Sequence, residues 1–99
     1  MPSPEPQPVG HTNRIVTPSP TVQSTVTGDG IVLLDMASGN IFSSNAIGAR
    51  IWLRLHEGIG SADIALQISA DCGASLRQVE NDVDDFIRAL TQRGLVTCP

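Results

Sequence analysis

The stretch Ile31–Gly58, IVLLDMASGNIFSSNAIGARIWLRLHEG, changes its hydrophobic period once, and that change constrains the chain more than any other feature. It opens with Ile31-Val32-Leu33-Leu34, an apolar run too short for a helix and rich in β-branched residues, which predicts a strand. Asp35 to Gly39, followed by Asn40, supplies turn chemistry, and Ile41-Phe42 resumes an extended segment. From Ser44-Asn45 onward the period is helical. Ile47, Ile51 and Leu55 recur every four residues, Gly48 and Trp52 flank them, and Gly58 stands where a helix stops. Asn45 or Ser44 is the expected cap, accepting a bond from an orphan amide of the first turn.

The flanking segments extend this pattern. Thr21–Thr27 is β-prone, and Gly28-Asp29-Gly30 is a turn that tolerates positive φ. Three short strands, at about 21–27, 31–35 and 40–43, are expected to form an antiparallel meander. After the first helix, Ser61 is the expected N-cap of a second, with Asp63 in its first turn, Ile64, Ala65 and Ile68 as its stripe, and Gly73 at its end. Ser75-Leu76-Arg77-Gln78 fits a capping box, and Leu76, Val79, Val83, Phe86, Ile87 and Leu90 keep helical spacing on one face of a third helix. Gly94 with Leu95 behind it predicts a Schellman stop, and Val96 a short extended tail. The fold class is therefore α+β, winged helix-turn-helix-like: a three-stranded antiparallel sheet followed by three helices, βββααα.

The chain of 99 residues holds one domain at most. Residues 1–20 carry six of the seven prolines and almost no large apolar side chains, which predicts a disordered Pro-rich tail and a folded part spanning 21–97. The net charge is −4, with six arginines, no lysine and ten acidic residues, a poor balance for neutralising phosphates. Over Ser75–Gly94 the acids outnumber the arginines four to three, so a DNA-reading third helix would offer Arg77, Gln78 and Asn81 against four carboxylates. No apolar run reaches the ~18–20 residues of a membrane span. Nor does the N-terminus follow a signal peptide's plan, and the expected location is cytoplasmic.

Nothing in the sequence reads as an active site, so no enzyme, cofactor or metal is expected. Cys72 and Cys98 lack metal-ligand spacing, and Cys72 with His56 has no oxyanion hole or base that the sequence supports. Glu80, Asp82, Asp84 and Asp85 form a solvated helix face, one that also suits a basic partner. The sheet offers a different chemistry. The third strand, Asn40–Ser43, lies at an edge whose unpaired backbone groups can take an added peptide strand. A groove between that edge and the last helix would have Ile41 or Phe42 as its floor.

The order of these features, together with "VLLD…SGN", the Asn45…Gly48…Ile51-Trp52 spacing, Gly58 and the ending Leu90…Arg93-Gly94-Leu95, resembles the PqqD-like family over about residues 22–97. These are the recognition elements that bind leader peptides of ribosomally made natural products. A freestanding chain with an N-terminal tail looks most like the leader-binding members of lasso peptide biosynthesis. The resemblance implies strand addition of a precursor's leader at the third strand and contacts with the third helix. The bound precursor is then presented to a cysteine-type leader peptidase and an ATP-dependent cyclase. By position, strand contacts fall on Asn40, Ile41, Phe42 and Ser43, and helix contacts among Gln78, Val79, Asp82, Val83, Asp85 and Phe86. Val79, Val83 and Phe86 are read equally as core or as groove. The family usually has an apolar residue before the Asn that opens the first helix; here Ser44 stands there. A sister chaperone for a radical SAM maturase and a winged-helix DNA-binding regulator are the rival readings.

Overall fold

The computed structural model describes residues 13–97. In chain order its elements are β1 (Thr17–Pro18), β2 (Val22–Val26), β3 (Gly30–Asp35), β4 (Ile41–Asn45), α1 (Ala46–His56), α2 (Ser61–Cys72), α3 (Leu76–Gln92) and β5 (Val96–Thr97). The expected meander and three helices are observed as β2β3β4α1α2α3. The central strand is β3, paired antiparallel with β2 on one side and β4 on the other. Its Ile31 and Leu33 are buried while Val32 and Leu34 are half-buried, the period-two signature of a sheet with one face in the core.

β4 extends further than the sequence suggests, to Asn45, because Ser44 and Asn45 still pair with Ile31 and Gly30. The β2–β3 turn closes with a Thr27 N–H bond to the Gly30 carbonyl at 2.8 Å, and neither Gly28 nor Gly30 uses the positive φ that a glycine tolerates. Gly30 is needed for a different reason: a Cβ at that position would overlap the Ser44 carbonyl oxygen.

The assignment of residues 13–20 to the tail is corrected by the structure; residues 1–12 lie outside the described residues. Val16 is 1% exposed and belongs to the main core cluster. β1 pairs antiparallel with β5, so Val96 is part of a small second sheet. The Ser19 N–H also bonds the Leu95 carbonyl at 2.9 Å. The composition of this segment is that of a tail, but one β-branched residue with an available partner strand is enough to tie it down.

The core lies between the inner sheet face and the helices. Ile31, Leu33, Ile51, Trp52, Leu55, Ile64, Ile68, Val83, Ile87 and Leu90 are each at most 2% exposed. At about 1.5–3 kcal/mol for each fully buried large side chain, this cluster is the main favourable contribution to folding. Trp52 also meets His56 edge-on, with ring centroids 4.9 Å apart. Leu76, expected on the apolar face of α3, is 38% exposed in the first turn.

The helix ends follow the expected chemistry in part. Asn45, not Ser44, caps α1, its side chain accepting from the Gly48 N–H at 3.0 Å. Gly58 and Gly94 adopt positive φ. At these ends Ile59 N–H bonds the Arg54 carbonyl and Leu95 N–H the Leu90 carbonyl, the Schellman pattern in both cases. The capping box of α3 is half made: Ser75 accepts from the Gln78 N–H, but the Gln78 amide turns instead to Asp82 at 3.3 Å.

Ser61 is not the N-cap of α2. Gly60 holds that position without a side chain. The capping oxygen comes from Asn13 Oδ1, which accepts from Ala62 and Asp63 N–H at 3.0 and 3.4 Å. Ser61 Oγ accepts from the Arg14 N–H. A cap supplied from 49 residues upstream is invisible to local pattern.

Asp35 ties the far end of the sheet. Its carboxylate accepts from Thr21 Oγ1 at 2.7 Å, Ser38 Oγ at 2.8 Å and the Ala37 N–H at 3.1 Å. These bonds, with Thr21 first, favour the charged form and hold its pKa below the ordinary aspartate value. Folding lowers this pKa, so the stabilisation is complete above the ordinary aspartate range and is lost as pH falls through the lowered value. Denaturation titrations across acid pH should therefore show a steeper acid loss for the native chain than for Asp35→Asn; parallel curves would refute the role. Asn13→Ala should lower unfolding free energy by about 1 kcal/mol in urea, and an unchanged midpoint would mean that the distant cap is not energetically coupled.

Candidate functional site

Among the described residues β4 has a partner on only one side. The Asp35 N–H bonds the Asn40 carbonyl at 2.9 Å, which sets the alternation along this ladder. Leu33 and Phe42, then Ile31 and Ser44, are the further bonded pairs. The main-chain N–H and C=O groups of Ile41 and Ser43 consequently point away from β3, to the open edge. Such an edge is a template for an extended chain.

Beside it runs α3, and the gap between them is a groove of about 280 Å³ lined by Ser44, Asn45, Ile47, Gly48, Ile51, Asp82, Asp85 and Phe86. Small residues open it. Ser44 and Gly48 face each other so closely that a Cβ on Gly48 would overlap the Ser44 side chain and come within 3.0 Å of the Phe86 ring. Ser44, the departure from the apolar residue usual in the resembled family, thus leaves space where a larger side chain would fill the groove. The floor is apolar, from Ile47, Ile51 and Phe86; the α3 wall is acidic, from Asp82 and Asp85.

Aromatic packing continues from the groove through Phe86. Phe42 points inward, opposite Leu33, and its ring lies 6.0 Å from that of Phe86 at a tilt of 56°. The Arg93 guanidinium lies over the Phe42 ring, 5.0 Å from its centroid. Tilted aromatic pairs and an arginine over a ring face are both favourable geometries.

The expected site residues divide by this geometry. Asp82, Asp85 and Phe86 line the groove, and Phe42 packs beside it against Phe86. Ile41 and Ser43 present backbone to the edge, while their side chains lie on the outer face of the sheet, Ile41 67% exposed. Asn40 belongs to the turn before β4, its N–H held by Ser38 Oγ. Gln78 is exposed and engaged with Asp82. Val79 and Val83 are buried in the core cluster and line no part of the groove.

Residues the sequence reading did not assign to the site are Ser44, Asn45, Ile47, Gly48, Ile51 and Arg93. The glycine inside the α1 stripe was the available signal, since such a glycine marks a close approach. Among the described residues no cluster of three or more His, Cys, Asp or Glu could hold a metal ion, and no helix is long and apolar enough to cross a membrane. Cys72 is exposed, and Cys98 lies outside the described residues.

Residues 30–96, from β3 to the start of β5, match the family described as coenzyme PQQ synthesis protein D. The chain belongs to the PqqD family. Among solved structures it is similar to TbiB1 in complex with the TbiA(beta) leader peptide, at 36% identity and a TM-score of 0.73, over 81% of this chain and 93% of that one. A lasso peptide synthetase B1 complexed with the leader peptide is similar at 26% identity and a TM-score of 0.75, over 84% and 98%. No functionally curated protein matches the chain. The PqqD-family match contains both walls of the groove and the whole of the open strand.

The division of α3 into a core face and a groove face has a measurable consequence. Val83→Ala should lower stability by about 2 kcal/mol through lost burial. Asp85→Ala, on the groove flank, should change it by less than about 0.5 kcal/mol. Equal effects in chemical denaturation would contradict the division.

Proposed function

We propose that this protein is a non-catalytic recognition element that binds the leader region of a ribosomally made, lasso-type precursor and presents it to separate enzymes. The leader adds as a strand to β4, and its side chains enter the groove beside α3. The observation that carries this reading is the open edge of β4 alongside an apolar, acid-walled groove, in a chain similar to two proteins solved with leader peptides bound.

The geometry supports the following roles. The backbone groups of Ile41 and Ser43 pair with the leader's main chain, and Asn40 marks the end of the pairing. Phe42 and Phe86 cover an aromatic or proline side chain of the leader. Asp82 and Asp85 attract a basic leader residue, with Gln78 holding Asp82 in place. Val79 and Val83 act from beneath, keeping α3 at its distance from β4. Presentation to a cysteine-type leader peptidase and an ATP-dependent cyclase completes the proposal. It assigns this chain no chemistry of its own.

A fluorescence-anisotropy titration tests it, with one labelled probe from the leader of the same organism's lasso-type precursor and another of random duplex DNA at matched, physiological salt. Saturable binding to the leader alone, abolished by Phe42→Asp, is the expected result. DNA binding without a response to the leader would overturn the reading in favour of a winged-helix regulator. Ser43→Pro should remove one main-chain bond to the leader while leaving the β3 pairing intact, weakening binding about five-fold. Unchanged affinity would argue against strand addition at this edge.

A further inference from the structure

The groove and the surface that continues from it past Phe86 and Phe42 carry opposite charge. At the Asn45 end stand Asp82 and Asp85. Beyond Phe86, over Phe42, stands Arg93, an exposed residue at the C-cap of α3 whose guanidinium carbon lies 5.0 Å from the Phe42 ring centroid. Asp85 has a local partner in Arg88 at 3.5 Å, but both side chains are largely exposed, a contact easily exchanged. Among the described residues Arg93 has no carboxylate partner, and its recorded side-chain contact is with an aromatic face. A cation over a ring face keeps guanidinium N–H donors free for a carboxylate, whose geometry their fork suits.

We propose that Arg93 is a specificity residue that receives an acidic side chain of the bound peptide, and that the opposed charges set the peptide's direction and register along β4. This inference rests on the peptide-binding reading above. Arg93 and the Asp82–Asp85 pair are separated along α3 by about 12–16 Å at the helical rise. An extended peptide covers that distance in about four residues, so the matching side chains fall on the same face. The sheet is antiparallel throughout β2-β3-β4, and a strand added in the same sense runs from the Asn45 end to the Phe42 end. Read from its N-terminus, the preferred ligand has a basic residue, then an apolar one two positions on, then an acidic one two positions further. The apolar residue enters the floor formed by Ile47, Ile51 and Phe86. A reversed or slipped peptide places like charges together at both ends, which costs affinity and discriminates by repulsion as well as attraction.

The test is anisotropy with the same organism's leader peptide, its acidic residues changed to lysine one at a time, against the native chain and Arg93→Glu. Arg93→Glu should weaken the native leader about five-fold or more at low salt, with a smaller loss as salt rises. One lysine-substituted leader should regain affinity for Arg93→Glu while losing it for the native protein. The rescuing position should lie about four residues C-terminal to a basic residue. Arg93→Gln, which adds no repulsion at the helix end, serves if Arg93→Glu fails to fold by circular dichroism, and should show the loss without the rescue. Affinity of either variant for the native leader within two-fold of the native protein's, or a loss by a folded Arg93→Glu that no lysine-substituted leader rescues, would overturn the inference while leaving leader binding standing. Absence of any binding by the native protein would bring down both.

Discussion

Three backbone segments meet without room for side chains at Gly30, Ser44–Asn45 and Gly48, and both the sheet and the groove depend on that meeting. A Cβ on Gly30 would overlap the Ser44 carbonyl, and one on Gly48 would overlap the Ser44 side chain. At the same joint Asn45 ends the β3–β4 ladder and caps α1 through its bond to Gly48. One residue therefore finishes a strand and starts a helix, which fixes the angle at which α1 leaves the sheet. Because the joint is narrow, Phe86 of α3 approaches Gly48 closely, and because Ser44 is small, a hollow remains beside it. A bulky residue at either position would exchange the groove for core.

α3 divides its labour by face. Val79, Val83, Ile87 and Leu90 point into the cluster that contains Trp52 and Leu33. Asp82 and Asp85 look onto the groove, and Arg93 lies beyond it over Phe42, which packs against the groove's Phe86. Anchoring by the buried stripe holds the flank in place, so the polar groups need contribute little to stability. Phe86 belongs to both faces: it is buried in the core cluster and exposes enough of its ring to form the floor. The choice between core and groove that its position in the stripe left open has no single answer, since the boundary between the two runs across the ring.

The segment before the sheet closes the domain at its termini. Asn13 caps α2, Val16 enters the core, and β1 pairs with β5, which begins three residues after Arg93. The end of α3 is thus held by a Schellman stop and by a strand pair at once. That matters for a helix whose last residues take part in the groove, because an unanchored C-terminus would fray. Arg14, 3.9 Å from Asp84, adds a further tie between this segment and α3.

By itself the sequence determined the element order, the positions of the helix stops and most of the core, because these depend on local periodicity and on turn residues. Ile31 and Leu33 alternate, Ile47, Ile51 and Leu55 repeat at helical spacing, and Gly58 and Gly94 end helices wherever they are placed in space. It also supplied the family resemblance and the edge strand. Only the tertiary structure decided which residues meet across long separations. Asn13 replaced Ser61 as the capping group, and residues 13–18 left the tail for the fold. Val79 and Val83 went to the core, Ser44 and Gly48 joined the groove, and Arg93 came to lie over Phe42 beside it. Each of these depends on a distance between segments far apart in the chain, and hydrophobic pattern carries no term for such distances.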